Sequence, residues 1–165
     1  MRLIILIVIC TIVAIIIGVI LLGQYYMNSY LRVNGVGLRS TREDVINRFG
    51  EPINTTGSDD GFFGSFHYDG IQFSIAGFNR TTPPSNVIAI LITNPDIRFG
   101  RNSIGVGSTR QEIEQIEWNR WPLRYSRNSF DHAFMVSRGH DAESIWFWFD
   151  NNDIVYRISI GFNSS

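Results

Sequence analysis

The pattern V-G-L-R-S-T-R-E-D-V at residues 36–45 returns as I-G-V-G-S-T-R-Q-E-I at residues 104–113, 68 positions further along the chain. Each copy contains a capping box that begins at a serine, Ser40 or Ser108, and ends three residues later at a Glu or Gln. In such a box the serine oxygen accepts from an unpaired N–H of the first turn, and the longer side chain reaches back to the cap. The sequence therefore predicts the same short helix twice.

Apolar stretches follow each predicted helix start and predict β-strands. They are residues 66–68, 71–75 and 87–93 in the first copy and residues 130–136, 145–149 and 155–160 in the second. The clearest alternates as Ile-Gln-Phe-Ser-Ile over residues 71–75, which is typical of a half-buried strand. We expect the order helix–strand–strand–strand in each copy, with each helix packed on its own antiparallel sheet.

The N-terminal region is strongly apolar. Residues 3–23 contain no charged side chain, and a helix of that length spans about 31 Å, the thickness of a hydrocarbon core. A cleaved signal peptide has a shorter apolar region followed by small residues, and Ile9 does not suit a lipoprotein signal around Cys10. We predict a transmembrane anchor at residues 1–23, lying in the lipid bilayer through residues 3–23, and a stalk at residues 24–34.

The predicted fold class is α+β: an N-terminal transmembrane helix followed by two tandem repeats of a short helix packed on an antiparallel β-sheet. Repeat 1 covers residues 35–100 and repeat 2 covers residues 101–165, and together they form one domain. Positive charge before the anchor predicts a single-pass protein of the cell membrane with a cytoplasmic N-terminus and an extracytoplasmic C-terminal domain. Because Cys10 is the only cysteine, that domain has no disulfides, and a bacterial cell envelope is the simplest setting.

The charge balance argues against one class of partner. All 14 positively charged residues are arginines, and the chain has 15 acidic residues, which gives a net charge of −1. A nucleic-acid-binding domain needs a concentrated basic face. We therefore expect no nucleic-acid partner.

Comparison of the two copies identifies a candidate binding surface. The positions of Gln72 and Ser74, which point outward from their strand, are taken in the second copy by Trp146 and Trp148. Arg157 has outward parity on the neighbouring strand. Tryptophan dominates the energetics of protein interfaces, so these three residues predict a protein-binding surface.

An alternative arrangement is open for the same tryptophans. The loop at residues 119–129 could cover Trp146 and Trp148, with Trp118 and Trp121 packing nearby. In that case the two indoles would belong to the core.

The remaining candidate metal-binding and catalytic residues are weaker. They are His67, His132, His140, and the acidic stretches Asp59–Gly61 and Asp150–Asp153. The histidines have no recurrent ligand spacing of the kind that zinc sites use, and the acidic stretches lack the calcium-loop pattern and are typical of turns. We predict no catalytic residue, no metal and no cofactor.

The repeat starts resemble a known family. The hydrophobic–Gly–x–[ST]–[RK]–x–x–V form of both patterns resembles the helix start of the SmpA/OmlA fold, which includes a small lipoprotein of the outer-membrane barrel-assembly machinery. The duplication is similar to the tandem-repeat arrangement of β-lactamase inhibitory protein, although that protein has disulfides and this chain has none. The resemblance implies a non-catalytic, protein-binding module of the cell envelope.

The leading functional hypothesis is a membrane-anchored, non-enzymatic, extracytoplasmic protein-binding module whose partner is another protein. One alternative is an immunity or inhibitor protein that blocks a toxin or an enzyme at the membrane. The other is an envelope hydrolase that uses a histidine and a carboxylate.

Overall fold

In the computed structural model of the chain, the described residues are 9–18, 31–58, 61–77, 85–100, 102–116, 118, 126–137 and 143–162. The helices are α1 (residues 9–18), α2 (Arg42–Phe49) and α3 (Arg110–Glu114). The strands are β1 (Arg32–Val33), β2 (Val36–Gly37), β3 (Asn54–Gly57), β4 (Phe63–Tyr68), β5 (Ile71–Ala76), β6 (Asn86–Ile92), β7 (Arg98–Phe99), β8 (Ile104–Gly105), β9 (Ser126–Phe130), β10 (Ala133–Ser137), β11 (Glu143–Phe149) and β12 (Val155–Phe162).

The predicted transmembrane anchor is wrong. In the described parts of the chain, no helix has both the length and the apolar character that crossing a bilayer requires. Helix α1 is described over residues 9–18. The remainder of residues 1–23 and most of the predicted stalk at 24–34 lie outside the described residues. The predicted single-pass location with an extracytoplasmic domain rested on that helix and is corrected with it.

The same order of elements occurs twice after residue 30. A two-stranded hairpin (β1–β2 or β7–β8) precedes a short helix (α2 or α3), and four strands follow (β3–β6 or β9–β12). The hairpins and the first of the four strands are additions to the predicted order. The hairpin strands have only two residues each, and the first of the four strands, β3 or β9, is mostly polar. Neither kind of strand has the alternation of apolar residues by which a strand is recognised in a sequence.

The predicted α+β class with one sheet per helix is also wrong. Strands make up 47% of the described residues and helices 20%. The eight long strands form a single antiparallel sheet in the order β3-β4-β5-β6-β12-β11-β10-β9. The two halves join where β6 pairs with β12, because an unpaired inner edge on either half would leave a row of backbone donors and acceptors without partners.

The junction has near-two-fold character. Leu91 pairs with Ser159, and these residues hold equivalent positions in the two repeats because their numbers also differ by 68. The repeat offset exchanges the pairs on either side of it, Ile90 with Ile160 and Ile92 with Ile158, because Ile90 is equivalent to Ile158 and Ile92 to Ile160. The axis that relates the repeats therefore passes through the Leu91–Ser159 pair.

One face of the sheet, here called the helix face, holds the core. Its residues in successive strands lie opposite one another and are buried: Phe66, Phe73, Ile90, Ile160, Ile145 and Val136. Val45 of α2 and Ile113 of α3 are fully buried in the same cluster, and the Phe49 ring lies 5.0 Å from the Phe73 ring. The opposite face, here called the outer face, is not used by α2 or α3.

The capping boxes lie one residue later than predicted. The N-caps are Thr41 and Thr109, whose side chains accept from the backbone of Asp44 and Glu112, and these two carboxylates accept from the cap N–H in return. Each start contains both Ser-x-x-Glu/Gln and Thr-x-x-Asp/Glu, so the pattern alone did not distinguish the two.

The serines have another role in the repeated motif. The hydroxyls of Ser40 and Ser108 accept from the N–H groups of Gly37 and Gly105 at 3.1 and 3.2 Å. The two glycines make room for an arginine of the paired strand, since a Cβ on Gly105 would lie 2.8 Å from Arg98 Cδ. Local structure thus explains the residues that the two copies of the motif share.

Candidate functional site

The side chains of β11 separate cleanly between the two faces of the sheet. Ile145, Phe147 and Phe149 are at most 2% exposed and lie on the helix face. Trp146 and Trp148, between them, are half-buried on the outer face. The structure therefore places both tryptophans on the face that the sequence comparison predicted.

The three predicted site residues come together. The indole rings of Trp146 and Trp148 stack with centroids 5.8 Å apart at an interplanar angle of 16°. The guanidinium carbon of Arg157, which is paired with Trp148 across the strands, lies 4.6 Å from the centre of the Trp148 ring. Trp148 Nε1 donates to Ser159 Oγ at 3.5 Å. These residues, Trp146, Trp148 and Arg157, are called the Trp–Arg cluster below.

A β-bulge adds a third aromatic group that sequence reasoning missed. Trp148 pairs with Arg157 but the next residue, Phe149, pairs with Val155, so Tyr156 is the extra residue on β12. A bulge re-aims neighbouring side chains, and Tyr156 is 48% exposed with its ring 5.6 Å from the Arg157 guanidinium. In the sequence, the bulge shows only as a break at Val155-Tyr156-Arg157 in the strict alternation of residues between the two faces of the sheet. This break can be recognised only once the strand register is known.

The positive charge of Arg157 is not neutralised in the described part of the chain. Its buried Nε has no hydrogen-bond partner there, and neither of the two salt bridges between described residues includes it. A buried donor without a partner costs about 1–3 kcal/mol. An unpaired group of this kind in a folded protein is unusual and calls for an explanation.

Arg110 shows how the same chain neutralises a comparable arginine. Its guanidinium lies 4.2 Å from the centre of the Phe149 ring on the helix face. Its Nε also donates to Asp153 Oδ1 at 2.7 Å, and Glu114 lies 3.8 Å away. Stacking on an aromatic ring is therefore accompanied by carboxylates at Arg110 but not at Arg157.

The eight strands place no negative charge on the outer face. The strand registers assign the alternate residues of all eight strands to it, and none of those positions holds an Asp or a Glu, although the chain has 15 acidic residues. Arg157 is the one arginine among them. This face is thus weakly positive on a chain whose net charge is −1.

The surroundings of the cluster differ on its two sides. Toward β10 the outer face is covered, because Ala133 and Met135 are 4% and 5% exposed. Across β6, the outer face has a shallow hollow of about 230 Å³, lined by His67, Tyr68, Gly70, Ile71, Gln72, Leu91 and Thr93. The cluster therefore lies between a covered strand and an open, polar hollow.

Trp118 does not lie over the cluster. It is 1% exposed on the helix face, with its ring 5.9 Å from that of Phe147, and its Nε1 donates to Ile113 O at 3.0 Å. It is a core residue. Trp121 and residues 119–125 lie outside the described residues.

The histidines are not assembled into one site. His67 Nε2 lies 3.0 Å from Thr56 Oγ1 on the outer face, while His132 is exposed in the turn between β9 and β10. His140 lies outside the described residues. Across the described ranges, no group of three or more His, Cys, Asp and Glu side chains is arranged to hold a metal ion.

The acidic stretch at Asp150–Asp153 is a turn. Asp150 Oδ1 accepts from the N–H groups of Asn152 and Ile154, both at 2.9 Å, and Asp153 has a positive φ of 58°. Asp59 and Asp60 of the other stretch lie outside the described residues.

Comparison of the chain with protein-family models, with curated proteins and with solved structures finds no match. The resemblance to the SmpA/OmlA fold stays a prediction.

Proposed function

We propose that this protein is a non-catalytic binding module that docks a partner protein on the outer face of its sheet, at the Trp–Arg cluster. The observation that supports the proposal best is the stack of Trp146 on Trp148 with Arg157 over the second ring. Tryptophan and arginine are the residue types most enriched at the energetic centres of protein interfaces. Here they occur together on a face that α2 and α3 leave unused.

The fold does not require these side chains. Repeat 1 has the same strand order and the same bulge, with Ser74 paired with Ala89 where repeat 2 has Trp148 paired with Arg157. Half-buried indoles that are dispensable for the backbone are better explained by binding than by stability. A single arginine on the face also suits a protein partner better than a nucleic acid, which needs several basic contacts.

The test compares two double variants of the full-length chain. Trp146→Ala/Trp148→Ala removes both indoles, and Gln72→Ala/Ser74→Ala removes the equivalent side chains of repeat 1. The partner is first captured by crosslinking in the producing cells, identified by mass spectrometry and purified. Its affinity for both variants and the parent chain is then measured by calorimetry.

We expect the tryptophan variant to lose about 30-fold or more in affinity, as the removal of a hot-spot residue does. The repeat 1 variant should bind as the parent chain does. Circular dichroism and urea unfolding show whether each variant is folded. A folded tryptophan variant with unchanged affinity would refute the proposal, and so would an equal loss in both variants.

A further inference from the structure

We infer that the Trp–Arg cluster recognises a carboxylate, the side chain of an Asp or Glu or a C-terminus, presented by the partner protein beside an apolar group. This inference rests on the proposed function and specifies the chemistry of the partner. It begins from Arg157, whose charge is held against Trp148 with no acidic group within 4 Å among the described residues.

The chemistry of a guanidinium that contacts an aromatic ring favours a ligand in the plane of its donors. A guanidinium donates its hydrogen bonds in the plane of its nitrogens, while an aromatic ring interacts with its face. The guanidinium carbon of Arg157 lies over the Trp148 ring, 4.6 Å from its centre, and 5.6 Å from the centre of the Tyr156 ring. A carboxylate has the two acceptor oxygens that match the planar donors of a guanidinium.

The charge distribution of the outer face agrees with a carboxylate. No outer-face position of the eight strands is acidic, so nothing there repels a negative group or competes for Arg157. A phosphate group is favoured by clusters of several basic residues, and the strand positions of this face include one arginine. The adjoining indoles and the hollow beside β6 provide an apolar surface and a polar surface for the rest of the partner's side chain.

The experiment needs no identified partner. Uniformly ¹⁵N-labelled full-length protein is titrated with N-acetyl-L-phenylalanine and, separately, with N-acetyl-L-phenylalanine amide, which has the same shape and no charge. The signals followed are the Nε–H of Arg157 and the indole N–H groups of Trp146 and Trp148. The Nε–H of Arg110 is the internal control, because its partner Asp153 already lies 2.7 Å away.

We expect the acid to shift the Arg157 and Trp148 signals and to bind about tenfold more tightly than the amide, as a charge-assisted hydrogen bond implies. The Arg110 signal should not move. Arg157→Gln should abolish the preference, so that the acid and the amide bind with about the same affinity. Arg157→Lys should retain part of it, because lysine keeps the charge but not the planar donors.

The inference is overturned if both probes bind equally, if neither binds, or if the acid binds without moving the Arg157 signal. The first of these outcomes would leave the proposed function intact, since an aromatic surface would still be present. If Arg157→Gln does not fold, the signals of the parent chain and of Arg157→Lys decide the matter. Failure of the proposed function would instead show as unchanged partner affinity after loss of both tryptophans.

Discussion

The two halves of the outer face have the same backbone and different side chains. Each half has a bulge between its last two strands, and at that bulge repeat 1 pairs Ser74 with Ala89 while repeat 2 pairs Trp148 with Arg157. On the helix face, by contrast, both repeats present large apolar side chains that are buried. The buried side chains of the helix face therefore serve folding in both repeats. The outer-face side chains differ between the repeats although the backbone does not.

The largest expected effect separates the two faces within repeat 2. Trp118→Ala removes a core indole that is 1% exposed and donates to Ile113 O, and it should lower the free energy of unfolding by about 3–5 kcal/mol. Trp148→Ala removes a half-buried indole from the outer face and should cost about 1 kcal/mol. Urea unfolding of the two variants measures the difference, and equal losses would show that Trp148 is also a core residue.

A smaller effect distinguishes the two hairpins. A Cβ on Gly105 would lie 2.6 Å from the backbone oxygen of Ile97, whereas on Gly37 the nearest atom is Arg32 Cγ at 2.8 Å. Backbone moves less readily than a side chain, so Gly105→Ala should cost about 2–3 kcal/mol and Gly37→Ala about 1–2 kcal/mol.

Thermal or urea unfolding gives both values for the two hairpins. Gly161→Ala is the control, because its Cβ would meet the Cβ of Ala89 at an ordinary 3.9 Å. The reverse order of the two hairpin variants would mean that Arg32 is held more rigidly than the Ile97 carbonyl.

The smallest effect concerns the cap of α3. The backbone N–H and then the hydroxyl of Thr109, together with Arg98, hold the pKa of Glu112 below its ordinary value of 4.5. A lowered folded-state pKa means that the stabilisation is present above that ordinary value and is lost as the pH falls through the lower one. Glu112→Gln should therefore be less stable than the parent chain at neutral pH, with a difference that shrinks in acid.

Unfolding free energies measured between about pH 7 and about pH 3 test this dependence. Asp44→Asn is the matched change in repeat 1, where Thr41 N donates to Asp44 Oδ2 at 2.9 Å. A difference between Glu112→Gln and the parent chain that does not vary with pH would contradict the expectation.

Much of each repeat could be predicted from local patterns. The helix starts and the strands at residues 71–75 and 145–149 follow from short-range periodicity, and the three residues of the candidate site followed from aligning the copies. The pairing of β6 with β12 could not be predicted, because it joins residues 66 to 72 positions apart and no local signal specifies which edges meet. The strand β3, Asn-Thr-Thr-Gly, is exposed throughout and has no apolar side chain to reveal it.

Two errors have instructive causes. Ser40 and Thr41 can both cap a helix, and the choice depended on a hydrogen bond from Gly37 to Ser40 that lies outside the helix. The apolar N-terminal stretch satisfied the length rule for a membrane span, yet the described residues contain no helix that is both long and apolar enough to cross a bilayer.

The seam at Leu91 and Ser159 has a consequence for how this chain can be divided. Each repeat alone would end in a bare strand, β6 or β12, whose natural complement is the equivalent strand of the other repeat. A fragment with only one repeat would therefore have an additional unpaired edge strand, and it would pair with another copy of itself or aggregate. Because both repeats are on one polypeptide, β6 and β12 pair within the same molecule and neither strand is left as a free edge.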